Sequence, residues 1–429
     1  MNANQSKVPT VSRVLDDGTL VELVYDAVAQ TTGLAVARPG IEASIVQSVE
    51  LPTGEILVPY SGENNLIANG CVLLPSAIGS FTDKAELLGE VRDFLHAYVD
   101  LTDEFEEIAA HYVLLTWVYD AFTDLPYLRF RGDYGTGKTR ALLTIGALSY
   151  KSFFASGAST PSPIFHIQDR FQGTLILDEA DFRLSDAAAQ LTKILNNGTT
   201  AGMPVLRTMT NRNRELNPQA FRVFGPKVVA MRHRFSDLAL ESRFITAETS
   251  GRTLRPDVPV HLPAQFGADA LALRNKLLAW RLRSRFSVGP DPARQAVGVS
   301  PRYRQSSWAL LSLIDDADVR DRIVRELAGE EARVSNERAD SLEGAMLVAV
   351  NAALQTSTAS HASVKDIAER FNAASAEELG RAMSNKWVAG FVRRLGLATM
   401  KTGGVYAVPV TELPKARALA ERFGVAEAA

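Results

Sequence analysis

The chain has 429 residues, which at about 150 per domain suggests about three domains. With 46% hydrophobic and 22% charged residues it reads as globular rather than disordered, and 46 basic against 49 acidic residues exclude a chain that coats nucleic acid over its whole surface. A single cysteine, Cys71, excludes an internal disulfide and a cysteine-rich zinc framework. No apolar run reaches the length of a membrane span and the N-terminus lacks a signal-peptide core, so a cytoplasmic protein without membrane contact is expected.

Taken in chain order, residues 8–75 predict short strands, Thr19–Tyr25, Glu55–Pro59 and Cys71–Leu74 among them, cut by turn signals such as Asp16-Asp17-Gly18 and Pro52-Thr53-Gly54. Residues 83–123 switch to helical spacing. Phe105, Ile108, Tyr112 and Leu115 recur at three and four after an acidic first turn. From Pro126 onward strands alternate with helices: Tyr127–Arg131, Thr174–Leu177 and Lys227–Met231 are the expected strands, which implies a parallel sheet covered on both faces. Residues 267–330 are helical, with linkers expected at Phe286–Gly298 and Gly329–Asp340. The rest is helix, helix, helix, two short strands and a charged helix over 413–427. The expected division is 1–125, 126–250, 251–335 and 336–429: an N-terminal β-rich and helical region, an α/β core, a helical lid and a C-terminal module.

Gly132-Asp133-Tyr134-Gly135-Thr136-Gly137-Lys138-Thr139 fits G-x-x-x-x-G-K-[ST] between an expected strand and an expected helix. Glycines let consecutive backbone N–H groups converge on phosphate oxygens, and the helix start faces the same anion. Lys138 is then placed for the β- and γ-phosphates of ATP, and the Thr139 hydroxyl for Mg²⁺. Further on, Thr174-Leu175-Ile176-Leu177 ends in Asp178-Glu179-Ala180-Asp181. Apolar residues followed by carboxylates suit a buried strand with acids at its ligand-binding tip. Asp178 would hold Mg²⁺ and Glu179 would polarise the attacking water, while Asp181 fits a solvated acid or helix cap. Taken alone, the acidic run also reads as a solvated turn.

Lys227–Met231 leads into Arg232 and His233, and Asp237-Leu238-Ala239-Leu240-Glu241-Ser242-Arg243 follows. With the phosphate loop and the acid strand, these residues resemble the AAA+ P-loop ATPases, in the branch of viral and plasmid replicative helicases (superfamily 3 and minichromosome-maintenance-like). The resemblance covers about residues 126–330. It implies that Arg232 or His233 takes the sensor position, where the family often has Asn, and that Arg243 is an arginine finger reaching a neighbouring subunit's γ-phosphate. A finger in trans implies a homo-oligomeric ring, a hexamer in the family's manner. The alternative for Arg243 is a pair with Asp237 or Glu241 in its own domain.

Pro204–Met209 and Gln219–Phe224 predict a hairpin tipped by 210–218. Residues 202–234 carry seven basic residues against one acid, a net +6 in a chain of net −3. The resemblance implies that this hairpin tracks DNA, with Arg212 and Arg214 as candidate phosphate contacts. A solvated hairpin tip is the competing reading.

At the C-terminus, helix 364–371, helix Ser384–Leu397 and a hairpin turning at 401–404 make a winged helix-turn-helix pattern. Residues 379–404 hold five basic residues and no acid. Lys386 and Arg393 beside Asn385 would face a DNA groove, with Lys401 on the wing; a protein-binding module is the competing role. The sequence therefore points to an ATP-hydrolysing DNA motor, a helicase or translocase for replicating a mobile element, with ATP and Mg²⁺ as cofactors. DNA is the expected partner, with a primase or other replication protein beside it. The alternatives are an ATP-switched initiator or loader, and a winged-helix regulatory scaffold with weak turnover.

Overall fold

The computed structural model describes residues 6–156, 159–178, 186–210, 216–235, 237–250, 254–377 and 379–425. It divides into two compact units, 1–327 and 328–429. Among the described residues no helix is long and apolar enough to cross a membrane.

The first unit is built on five parallel strands in the spatial order Phe244–Glu248, Tyr127–Arg131, Lys227–Met231, Leu175–Asp178 and Phe153–Ser156. Parallel neighbours need crossovers, and helices Lys138–Leu148, Pro161–Phe171 and Asp186–Asn197 lie in them. Leu175, Ile176, Leu177, Val228 and Val229 are wholly buried, as strands covered on both faces require. The three strands expected from the sequence form the middle of the sheet. The two edge neighbours were not expected. Phe153–Ser156 is only four residues long with Phe154 facing outward, and Phe244–Glu248 follows so closely on the one-turn helix Leu238–Glu241 that it reads as its continuation.

Helix Asp103–Val118 is capped by Thr102, whose hydroxyl accepts from Phe105 N at 3.1 Å, and is buried from Phe105 to Val118. Its Tyr112 hydroxyl sits under the sheet, donating to Lys227 O at 2.9 Å and accepting from Lys227 N at 3.1 Å. Lys227 is itself fully buried. Its ammonium donates to the carbonyls of Val223 at 2.9 Å and Gly225 at 3.0 Å, and burial pushes its pKa down to about 7 from 10.5. Between those values the unfolded chain holds a proton that the folded chain has released, so stability rises as pH increases through about 7. Burial pushes the Tyr112 hydroxyl up from its ordinary value of 10, which reverses the trend above that value. We therefore expect the urea midpoint of this unit to rise from pH 7 to pH 9, and Lys227→Met to flatten that rise. An unchanged slope in the variant would contradict a buried, titrating ammonium.

The N-terminal residues form an antiparallel sheet, Ser12–Val14, Leu20–Asp26, Thr31–Arg38 and Ile41–Val46 in chain order, and a smaller one of Lys7–Thr10, Ile56–Pro59 and Val49–Glu50. Cys71–Leu74 is not a strand; Val72 makes one isolated bridge to Phe153. Glu22 ties the larger sheet to the rest of the unit. Its buried carboxylate takes Arg281 Nε at 2.8 Å, Lys151 Nζ at 2.7 Å, the Tyr150 hydroxyl at 2.8 Å and the Ser12 hydroxyl at 2.7 Å. Burial alone would raise its pKa, but the two cations hold it below the usual carboxylate value. Arg281, on helix Phe266–Ser284, also grips Asp120 at 2.8 and 3.0 Å. Residues from 1–125, 126–250 and 251–335 thus share one buried ionic network.

The second unit holds helices Leu342–Thr356, Val364–Ser375, Asn385–Arg394 and Leu413–Arg422, with an antiparallel sheet of His361–Ser363, Val405–Pro409 and Met400–Thr402 in that order. Met346, Val350, Ile367, Phe371, Val388 and Val392 fill its core. Ser384 caps its helix, accepting from Trp387 N at 3.3 Å. Gly403 and Gly404, at φ +58° and +82°, make the two-residue turn of the hairpin, a conformation that suits glycine. The linker expected over Gly329–Asp340 is instead the C-terminal half of helix Ala317–Ala339. A single glycine costs a helix about 1 kcal/mol, which the surrounding Glu, Ala and Arg residues offset.

Candidate nucleotide site

The register of the parallel sheet brings Arg131, Met231 and Glu248 level at its C-terminal edge, with Asp178 one step behind. The phosphate loop leaves from Arg131. Gly135 and Gly137 adopt φ +77° and +85°, the left-handed region that glycine tolerates, and a Cβ at either would meet only open space. Helix Lys138–Leu148 starts at Gly137 without a side-chain cap, so its first N–H groups face the loop. Gly132 is needed for another reason: a Cβ there would collide with the Thr249 hydroxyl.

That hydroxyl belongs to a support the sequence did not reveal. Thr249 N and Oγ1 bond to Arg131 O at 2.7 and 3.0 Å, Thr136 Oγ1 meets Thr249 Oγ1 at 2.7 Å, and Asp133 N donates to Ser250 Oγ at 2.9 Å. Thr249 and Ser250 therefore brace the loop from the end of the adjacent strand. The only signal in the sequence is a pair of hydroxyl residues just after Phe-Ile-Thr-Ala-Glu, and it has meaning only once that strand is placed beside the loop. Lys138 Nζ donates to Gly132 O at 2.7 Å and to Asp133 O, which holds the ammonium over the loop. Tyr134 is exposed at the tip.

Thr139 Oγ1 donates to Asp178 Oδ2 at 2.8 Å. Two oxygen donors 39 residues apart in sequence meet beside the loop, and hard oxygen ligands of this kind suit Mg²⁺. Arg232 lies exposed one residue beyond Met231, at the tip of the strand between the loop strand and the acid strand. Glu179 and Asp181 lie outside the described residues.

Arg243 lies at the other end of the sheet. Its strand pairs Phe244 with Tyr127, so the five-residue strand separates it from its own loop by about 16 Å. Its guanidinium donates to Asn196 O and Oδ1 at 2.6 Å each, and Asn196 Nδ2 donates to Asp237 at 2.9 Å. The direct partner is thus Asn196 rather than Asp237 or Glu241. Glu241 is occupied by Arg129, in a fully buried bidentate pair of 2.8 and 2.5 Å, and by Arg234 at 3.0 Å.

The hairpin expected before the third strand is present, with strands Val205–Thr210 and Leu216–Phe221. The tip is narrower than the 210–218 expected. Pro218 pairs within the ladder opposite Thr208, because both strands of a two-stranded ribbon are edges where a missing N–H is tolerated. Arg212 and Arg214 lie outside the described residues. In the second unit, Lys386, Arg393 and Lys401 are all exposed. Lys386 and Arg393 fall on one helix face seven residues apart. The Arg393 guanidinium and the Lys401 ammonium both stand over the Tyr406 ring, at 5.4 and 5.1 Å. Tyr406, not expected from the sequence, gathers the helix cation and the hairpin cation around one aromatic.

No family model and no curated protein matches the chain. Two solved structures of the NrS-1 C-terminal region are similar to it at 11% identity, with TM-scores of 0.37 and 0.38, covering 91% of this chain and 96% of theirs. A crystal structure of JCV helicase is similar at 16% identity and TM-score 0.24, over 61% of this chain and 65% of that one.

Proposed function

We propose that the chain is an Mg²⁺-dependent, DNA-binding ATPase that acts in an oligomer, a helicase or translocase in the replication of a mobile genetic element. The observation that carries this reading is the contact of Thr139 with Asp178 beside a glycine loop whose left-handed residues leave its amides clear. Loop amides from Gly135 to Thr139 would bind the phosphate tail of ATP. Lys138 would exchange the Gly132 and Asp133 carbonyls for phosphate oxygens. Thr139 and Asp178 would hold Mg²⁺, which when bound neutralises charge on the transferred phosphoryl group. Glu179 would take the proton of the attacking water. Arg232 would contact the phosphates from the neighbouring strand tip. Arg243, about 16 Å from its own loop, would serve a neighbouring subunit after exchanging Asn196 for that subunit's γ-phosphate. The winged-helix reading of the second unit makes Lys386, Arg393 and Lys401 its DNA contacts.

The test is ATP turnover with and without single-stranded and duplex DNA, together with strand displacement. DNA-stimulated turnover with displacement is expected. Stimulation without displacement would favour the initiator or loader, and function retained by a chain that cannot hydrolyse ATP would favour the regulatory scaffold. For Arg243→Ala, turnover should fall, and inactive Lys138→Ala subunits, which keep Arg243, should restore it in mixed assemblies. Normal turnover by Arg243→Ala alone would remove the trans assignment.

A further inference from the structure

A cavity of about 290 Å³ lies at the root of the hairpin, between helix Pro161–Phe171, helix Asp186–Asn197 and strand Val205–Thr210. Phe165, Gln190, Lys193, Leu206 and Arg207 line it. The Arg207 guanidinium stands 4.7 Å over the Phe165 ring and donates to Gln190 Oε1 at 3.2 Å, so its plane is fixed. Lys193 follows Gln190 by three residues on the same helix face and is exposed. Among the described residues no carboxylate pairs with either cation. Leu206 is 72% exposed and adds an apolar wall.

Two cations facing one cavity attract an anion. A guanidinium held on an aromatic ring by one face can stack a flat group on the other. The volume lies at the lower edge of the roughly 300–1,000 Å³ typical of pockets that enclose a whole small ligand. It suits one base with its phosphate turned outward better than an enclosed nucleoside triphosphate. The surrounding segment 202–234 carries a net +6.

We propose that this cavity receives one nucleotide of a single nucleic-acid strand, the base against Arg207 and Leu206 and the phosphate at Lys193 and Arg207. The proposal rests on the DNA-binding reading above and adds a subsite distinct from the hairpin tip.

The test uses the full chain with Mg²⁺ and a non-hydrolysable ATP analogue, titrated into fluorescent oligothymidylate across a sodium chloride series. Lys193→Ala, an exposed position that spares the fold, should weaken binding and reduce the log–log salt slope by about 1. Arg207→Lys should keep the slope but bind the base-bearing strand roughly tenfold less well, with little change for an abasic strand. If the native chain binds the strand while both variants match it in affinity and slope, the subsite is refuted and the DNA reading stands. If the native chain binds no strand, both fall. A mononucleotide arm separates the two sources. If dTMP binds Lys138→Ala protein through Lys193 while strand binding ignores Lys193, the ligand is a free nucleotide and the strand assignment is wrong.

Discussion

Lys138→Ala is expected to lower ATP turnover by roughly 10²–10³-fold, the scale on which removing one preorganised charge-stabilising group acts. The ammonium lies over the glycine loop, on the carbonyls of Gly132 and Asp133, one residue before the hydroxyl that meets Asp178. Alanine removes the charge and its bonds to these two carbonyls but leaves the rest of the loop's bonding in place. The position opens helix Lys138–Leu148, where alanine is the best helix former, and the loop bonds from Thr136, Thr249 and Ser250 do not involve the lysine side chain. The variant should therefore melt like the native protein. Steady-state phosphate release, read beside a melting curve, checks both halves. Native-like turnover from a folded variant would remove the nucleotide chemistry from this loop.

Glu241→Ala should destabilise the first unit by about 3–5 kcal/mol, because it strands a buried guanidinium. Arg129 and Glu241 are both almost wholly buried and joined by two hydrogen bonds, and Thr246 Oγ1 accepts from Arg129 Nη2 at 2.8 Å. Burial by itself would raise the Glu241 pKa, but Arg129 and Arg234 hold it below the ordinary carboxylate value. Phe235 N also donates to this carboxylate at 3.0 Å, so it fixes the chain just beyond Arg232. The urea midpoint should fall sharply in Glu241→Ala and recover in large part in Arg129→Met/Glu241→Leu, which removes both charges together. If the single and double variants lose the same amount, the ion pair is not the source of the loss.

The glycine loop and the helix after it were legible because the G-x-x-x-x-G-K-[ST] pattern is made of consecutive residues, and Gly132–Thr139 carries all of it in one stretch. Asp178 was legible as the polar end of an apolar strand. The braces at Thr249 and Ser250 were not, since they reach the loop only through the pairing of Glu248 with Arg131, a long-range register without a local pattern. The hairpin was found, but Pro218 was placed in its 210–218 tip when an isolated ribbon can hold a proline within the ladder. Tyr127-Leu128-Arg129-Phe130-Arg131 did carry a hint of a buried pair: an arginine in the middle of an apolar parallel strand needs a buried acid, and Glu241 is that acid.

The ionic knot around Glu22 has a consequence for anyone who trims this protein. A fragment that starts at the phosphate-loop strand would discard Glu22 and Asp120 and leave Lys151 and Arg281 as orphaned cations in an apolar interior. The N-terminal antiparallel sheet and the five-stranded parallel sheet should accordingly melt in a single cooperative step, and shortened versions should be recovered as aggregates.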